Sequence, residues 1–399
     1  MNLPTAPGSG PATPHFAVVL TLLWLAGAAM RIPLLVVPPV IPLIHDDLTM
    51  TETQVGALMG MPLIMFALAA VPGSLLIARL GVMRVVVAGL LITALASAAR
   101  SAALDVWTLY AATIVMGLGI AILQPAMPTL VRAWAPRRMW LANAAYTNGM
   151  VIGVTLASAL TIPVVLPLLG GSWRRALVAW AAPGLIATLA YIVAPLRAPA
   201  APTPSGAAAR WWPDWNSPLI WLLGLTLGAN NGLFYAINAF VPDYLNSIGR
   251  GDMIAMTLGW LNGSQLAASL FLLAMPESQQ RRSWPFTIFG PLTVLAMVGV
   301  LLGQGYWIVV SAAVLGFAAS VTFVVTFGLP AMLSAAADVP RTAGGMFTIS
   351  YTTAVIVPIL CGAFWDITGI PWTSFVPIGL CSVALTIFGA VLTLRKAHD

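Results

Sequence analysis

Charge is what this chain has least of. Only 7% of its 399 residues are Asp, Glu, Lys or Arg, against about 25% in a soluble globular protein. Lys396 is the only lysine, which excludes a Walker-type phosphate loop and its obligatory lysine. An ATP-driven pump would therefore need a partner chain. The three histidines, His15, His45 and His398, fall outside the apolar runs. None can activate a serine there, and no His-Glu-x-x-His motif or pair of aspartates lies inside a run. The chain is expected to be no enzyme and to need no cofactor and no metal. Its two cysteines, Cys361 and Cys381, both sit in apolar runs. They offer no disulfide or zinc framework and read as small buried apolar residues.

What the chain does have is apolar length. Hydrophobic residues make up 60% of it, in long runs separated by short polar or basic turns. Each run can cross about 30 Å of hydrocarbon at roughly 1.5 Å per residue. Alternating strands are not visible, so a helical bundle is expected and a barrel is not. Twelve spans fit: 16–44, 53–77, 83–101, 106–131, 140–167, 174–195, 218–245, 253–275, 285–303, 305–333, 343–364 and 371–393.

These spans sort the 17 basic residues of a chain whose net charge is +6. Twelve fall on one side: Arg79, Arg84, Arg132, Arg137, Arg138, Arg197, Arg210, Arg281, Arg282, Arg341, Arg395 and Lys396. Four fall on the other, Arg100, Arg174, Arg175 and Arg250, and Arg31 lies within the first span. The positive-inside rule then puts both termini in the cytoplasm. The positive charge is a topology signal, and no nucleic-acid partner is expected.

Residues 1–15 read as a disordered tail rich in proline and glycine, without the basic start of a signal peptide. The longest polar interruption, 196–216, carries Pro199, Pro202, Pro204, Ser205, Gly206 and Pro213 and reads as a cytoplasmic linker. It divides the chain into halves, 1–195 and 217–399, with six spans each. Landmarks repeat between them. Arg31 precedes Pro42 by eleven residues, and Asn231 precedes Pro242 by eleven. Paired glycines follow, Gly56 and Gly60 in one half, Gly259 and Gly263 in the other. Two parallel six-helix halves around a midplane site is a known transporter plan. The glycines read as close-packing positions. Gly117 and Gly119 lie inside a span with no preceding strand, so they form no nucleotide loop.

The polar residues inside spans mark the expected site. Arg31 lies about midway along its span. A cation at that depth costs on the order of 2.5–3.5 kcal/mol on insertion scales, so it should face protein or a wet cavity. The 11 acids lie in loops or at span ends, so no deep carboxylate can pair with it. The same absence argues against a dedicated proton carrier. Asp243, at the end of span seven, and Glu52, at the start of span two, are the weak candidates. Neutral polar residues accompany Arg31: Gln124, Tyr146, Asn148, Asn231, Tyr235, Asn262, Gln265 and Tyr351. Asn231, Tyr235 and Asn238 share one helix face, and Asn262 can share one with Gln265. The set concentrates in spans one, four, five, seven, eight, ten and eleven. For an asparagine or glutamine, helix-to-helix hydrogen bonding remains an equal alternative. A lone cation among neutral donors selects a small anion, since Coulomb attraction is strong where water is scarce.

The same residues resemble a family. Arg31-Ile32-Pro33, Gln54-Val55-Gly56 through Pro62, the stretch Gly117 to Pro128, Gly171-Ser172-Trp173-Arg174, and Tyr235 to Pro242 are similar to the cyanate/2-nitroimidazole transporter group of the major facilitator superfamily. The superfamily's signature between helices two and three keeps Arg79, Gly81 and Arg84 but has Ala78 where an aspartate is usual. The resemblance implies an all-α membrane protein of the major facilitator fold, with 12 transmembrane helices in two six-helix halves. It implies a carrier working by alternating access in a bacterial inner membrane. Two expectations follow. One is a monomeric secondary or facilitated carrier of a small monoanion. The other is an exporter of neutral or weakly aromatic molecules, with Arg31 serving structure or gating.

Overall fold

The computed structural model describes residues 16–194, 212–275, 284–334 and 338–396. The expected tail and most of the expected linker lie outside them, as do Arg197, Arg210, Arg281 and Arg282. The described residues are almost wholly helical and contain no strand. The long helices are α1 (Phe16–Leu35), α2 (Glu52–Leu80), α3 (Val82–Ala99), α4 (Val106–Trp134), α5 (Met139–Leu160) and α6 (Trp173–Val193). Further along the chain come α7 (Pro218–Ser247), α8 (Ile254–Ala274), α9 (Trp284–Leu302), α10 (Tyr306–Leu333), α11 (Val339–Thr368) and α12 (Phe375–Lys396). Ten helical segments among the described residues are long and apolar enough to cross a membrane.

The helix ends follow local chemistry. Thr51 and Gln54 form a capping box at α2: the Gln54 N–H donates to Thr51 Oγ1 at 3.2 Å and the Thr51 N–H to Gln54 Oε1 at 3.0 Å. Asp105 caps α4, accepting from the Thr108 N–H at 2.8 Å. That hydrogen bond holds the Asp105 carboxyl below its ordinary range. Gly81 joins α2 to α3 at φ 82°, a conformation that favours glycine.

Prolines shape the first span. Pro38 and Pro39 cannot continue the helical ladder, and α1 gives way to a 3₁₀ turn (Pro38–Val40) and a short helix (Ile41–Leu48). Arg100 Nη2 donates to the Pro33 carbonyl and to Ser97 Oγ, both at 2.9 Å. Arg100 is only 1% exposed. Sequence alone places it at the membrane surface; the fold instead buries it against the bend in the first span.

Packing shows how the halves relate. Within the first half α1 lies on α5. A Cβ on Gly149 would come 2.1 Å from the Trp24 carbonyl, and one on Gly153 2.9 Å from Ala28 Cα. Within the second half α7 lies on α11, through Gly224, Gly228 and Gly232 against Ile349, Thr353 and Val357. Between halves, α2 meets α11 and α5 meets α8. α7, α11 and α8 each stand six places after α1, α5 and α2 in the order of helices. Both the internal and the cross-half pairings are therefore reciprocal, as a two-fold relation requires.

The halves touch most closely at the end remote from the termini. There Gly56 abuts Pro358, Gly60 abuts Val355 and Gly362 abuts Glu52; Gly259 faces Ala159 and Gly263 faces Thr155. At the other end Gly328 and Gly344 have nothing within 4 Å, and Trp140 is 72% exposed.

Candidate functional site

A cavity runs between the halves. It has a volume of about 130 Å³, is partly open to solvent, and is walled by α1, α5, α7, α8 and α10. Arg31 and Leu35 come from α1, Thr147 and Met150 from α5, and Asn231, Phe234 and Tyr235 from α7. Gln265 and Ser269 come from α8, and Ser320, Phe323 and Val324 from α10.

Among the described residues that line it, Arg31 is the only charged one. Its Nη1 donates to Tyr235 Oη at 2.9 Å, a bond that crosses from one half to the other. Asn231 faces the same space while its Nδ2 donates to Ser350 Oγ at 2.8 Å. Arg31 and Asn231, which stand at the same spacing before Pro42 and Pro242, both line this cavity. The arrangement can attract an anion, offer it a planar fork of donors, and complete the contact with neutral hydroxyl and amide groups.

A sequence profile of the Major Facilitator Superfamily matches residues 21–277, well over half of the chain. The chain belongs to the Major Facilitator Superfamily. Similar members include the uncharacterized transporter YycB of Bacillus subtilis, 28% identical over 89% of this chain and 87% of that one. The 2-nitroimidazole transporter of Escherichia coli is 24% identical over 93% and 94%. The Escherichia coli cyanate transport protein CynX is 27% identical over 71% of each chain. Among solved structures, a bacterial homolog of the human lysosomal transporter Spinster, in an inward-facing and occupied conformation, aligns with a TM-score of 0.75. It is 14% identical and covers 97% of this chain and 98% of that one. The D-xylose-proton symporter aligns at 0.73 with 13% identity, over 95% and 96%. These chains share the superfamily fold.

The other expected site residues have different places in this superfamily member. Tyr146 Oη lies 3.7 Å from Met30 Sδ, beside Arg31. Tyr351 stacks on Phe347 and meets Phe66 edge-on. Neither is among the cavity-lining residues. Asn148 accepts from Trp24 Nε1 at 3.0 Å and ties α5 to α1. Asn262 is fully buried: its Nδ2 donates to Asn238 Oδ1 at 2.9 Å, Leu258 O at 3.0 Å and Ser158 Oγ at 3.1 Å. It joins α7, α8 and α5. Gln124 is half-buried on α4, outside the lining. Of the residues expected from sequence, Arg31, Asn231, Tyr235 and Gln265 line this cavity. Sequence reasoning passed over Phe234, Phe323, Ser269 and Ser320. A signal existed on α10, where Ser320, Phe323 and Val324 fall at i, i+3, i+4.

A second cluster forms at the closed end. His45 Nδ1 lies 3.1 Å from Asp243 Oδ2 and 3.9 Å from Glu52 Oε1. Glu52 is 8% exposed and Asp243 6%. Next to it Asp366 accepts from the Glu52 N–H at 3.0 Å and the Thr53 N–H at 2.8 Å, capping α2 from the other half. From sequence alone, His45 belongs to a loop and the two acids to span ends. The fold brings all three groups together at the junction of the halves, burying Glu52 and Asp243 and leaving His45 half-buried.

Proposed function

We propose that this superfamily member carries a small monoanion across the bacterial inner membrane by alternating access. Cyanate-like ions, small carboxylates and oxyanions are the substrate class. Arg31 is the attractor. Asn231 and Tyr235 complete the contact, and Gln265 and Thr147 border it. The observation that supports this reading most is the single cation in a cavity whose described lining has no carboxylate. A neutral or cationic solute would leave that charge without an anion, whereas a monoanion compensates it at low dielectric. The names of two relatives, a cyanate and a 2-nitroimidazole transporter, agree with a small polar solute.

On this reading the chain is a monomer with twelve spans, halves 1–195 and 217–399, and both termini cytoplasmic. The closed end is then the extracytoplasmic one, and the conformation is open to the cytoplasm. A second reading has its own support: Phe234 and Phe323 face the same cavity, which suits export of a neutral or weakly aromatic molecule.

The test is calorimetric titration of the purified protein with cyanate, nitrate, bicarbonate, short carboxylates and a neutral nitroimidazole. The anion reading expects saturable binding of at least one monoanion, weakened by excess of another. Binding of the neutral heterocycle alone would favour the export reading instead.

A further inference from the structure

We propose that His45, Glu52 and Asp243 form a divalent-cation site across the junction of the two halves, of the imidazole-and-carboxylate kind that takes Zn²⁺ or a similar first-row ion. One ligand atom from each residue lies within 4.8 Å of the others. Two ligands each about 2.0 Å from a tetrahedral ion stand roughly 3.3 Å apart. The separations from His45 Nδ1, 3.1 Å to Asp243 and 3.9 Å to Glu52, bracket that value. Three protein ligands leave one position for water, as in open zinc sites.

Two further observations point to a cation. Glu52 Oε2 is buried and has no hydrogen-bond partner, although an orphaned buried carboxylate oxygen is costly. The cluster's charge is also unbalanced. Asp46 and Asp366 add to Glu52 and Asp243, and among the described residues His45 is the basic group placed against Glu52 and Asp243. On this side Arg174 is engaged with Asp47. A divalent ion would neutralise both carboxylates and satisfy the free oxygen in one step.

The ligands come from both halves. His45 and Glu52 belong to the first, Asp243 to the second. An occupied site therefore favours the form in which this end is closed, because the ion binds that form better. This consequence rests on the alternating-access reading; the binding itself does not.

The experiment is titration of the tag-free, chelator-stripped full chain in detergent with Zn²⁺ by calorimetry, and with Co²⁺ by visible absorption. The expected result is one saturable ion per chain. Glu52→Gln and Asp243→Asn should each weaken it roughly tenfold or more, while Asp243→His, which exchanges one good ligand for another, should retain it. Absence of saturable binding overturns the site. So does binding that survives Glu52→Gln, Asp243→Asn and His45→Ala in variants that elute as the wild type does. A second arm separates the site from the lock. A Ser269→Cys reporter, in a Cys361→Ala, Cys381→Ala background, reports access to the cavity from the cluster's side. Zn²⁺ should slow its labelling there. Binding without slowed labelling upholds the site and refutes the lock.

Discussion

Placing a methyl group at Gly56 should unseat the closed end of the bundle. A Cβ there would stand 2.1 Å from the Pro358 carbonyl oxygen, where an ordinary carbon-to-oxygen contact is about 3.3 Å. The clash is with backbone, so no side chain can rotate away. α2 and α11 must separate by on the order of 1 Å. Overpacking of this kind costs about 1–3 kcal/mol. The cost falls on the conformation in which the two helices touch. At 1.4 kcal/mol per tenfold, Gly56→Ala should shift the ratio of closed to open forms at this end by roughly 5- to 150-fold. Gly344→Ala is the control. Nothing lies within 4 Å of that position, and alanine in a helix interior is favoured over glycine by about 1 kcal/mol. The assay is maleimide labelling of a Ser269→Cys reporter from each face of proteoliposomes, in a background without the native cysteines. Gly56→Ala should raise labelling from the face remote from the termini, and Gly344→Ala should not. Equal labelling in both variants, with folded protein shown by gel filtration, would refute the claim that this glycine seat holds the end shut.

Other outcomes follow from single contacts. Asn262→Ala leaves Asn238 Oδ1 without its donor in a buried site, so detergent unfolding should show a loss of about 1–3 kcal/mol. Arg174→Gln breaks a part-exposed pair with Asp47 and should cost under about 1 kcal/mol in the same assay. The lowered Asp105 carboxyl stabilises the cap of α4 above the ordinary carboxylate range, and this is lost as pH falls through the depressed value. Asp105→Asn should therefore flatten the acid limb of thermal unfolding between those two values. Tyr235→Phe removes the hydroxyl that accepts from Arg31 and should weaken monoanion binding by about fivefold, near 1 kcal/mol.

The architecture was legible because lipid leaves so few options. Apolar runs ended by Thr51, Asp105, Gly81 and Gly369 became helices that begin and stop within a few residues of the expected bounds. Arg31 could be read as a cavity residue because its cost at mid-span demands a wet or protein-lined side. The matched spacing to Pro42 and Pro242 brought Asn231 with it. Side-chain direction was not legible. Asn148 and Asn262 have the composition of cavity residues, yet each turns toward a neighbouring helix, to Trp24 and Asn238. Hydrophobic periodicity is faint in helices that are apolar all round, so nothing in the sequence said which face looks inward. Arg100 misled for a related reason. Its position at a span end matches a surface anchor, and only the bend around Pro33 shows the carbonyl it serves. The His45, Glu52 and Asp243 cluster joins residues about 200 apart in sequence, a meeting that only the packing of the halves creates.

The central claim is that Arg31 draws a monoanion into the cavity. It is tested most directly by monoanion binding to Arg31→Ala and Arg31→Lys, each shown to be folded. A charged hydrogen bond contributes about 1.5–3 kcal/mol, so Arg31→Ala should lose roughly ten- to a hundredfold in affinity. Arg31→Lys should also bind more weakly, since a point charge cannot reproduce the planar fork. Wild-type affinity and transport rate in a folded Arg31→Ala would contradict the account and leave the neutral-solute exporter as the better reading.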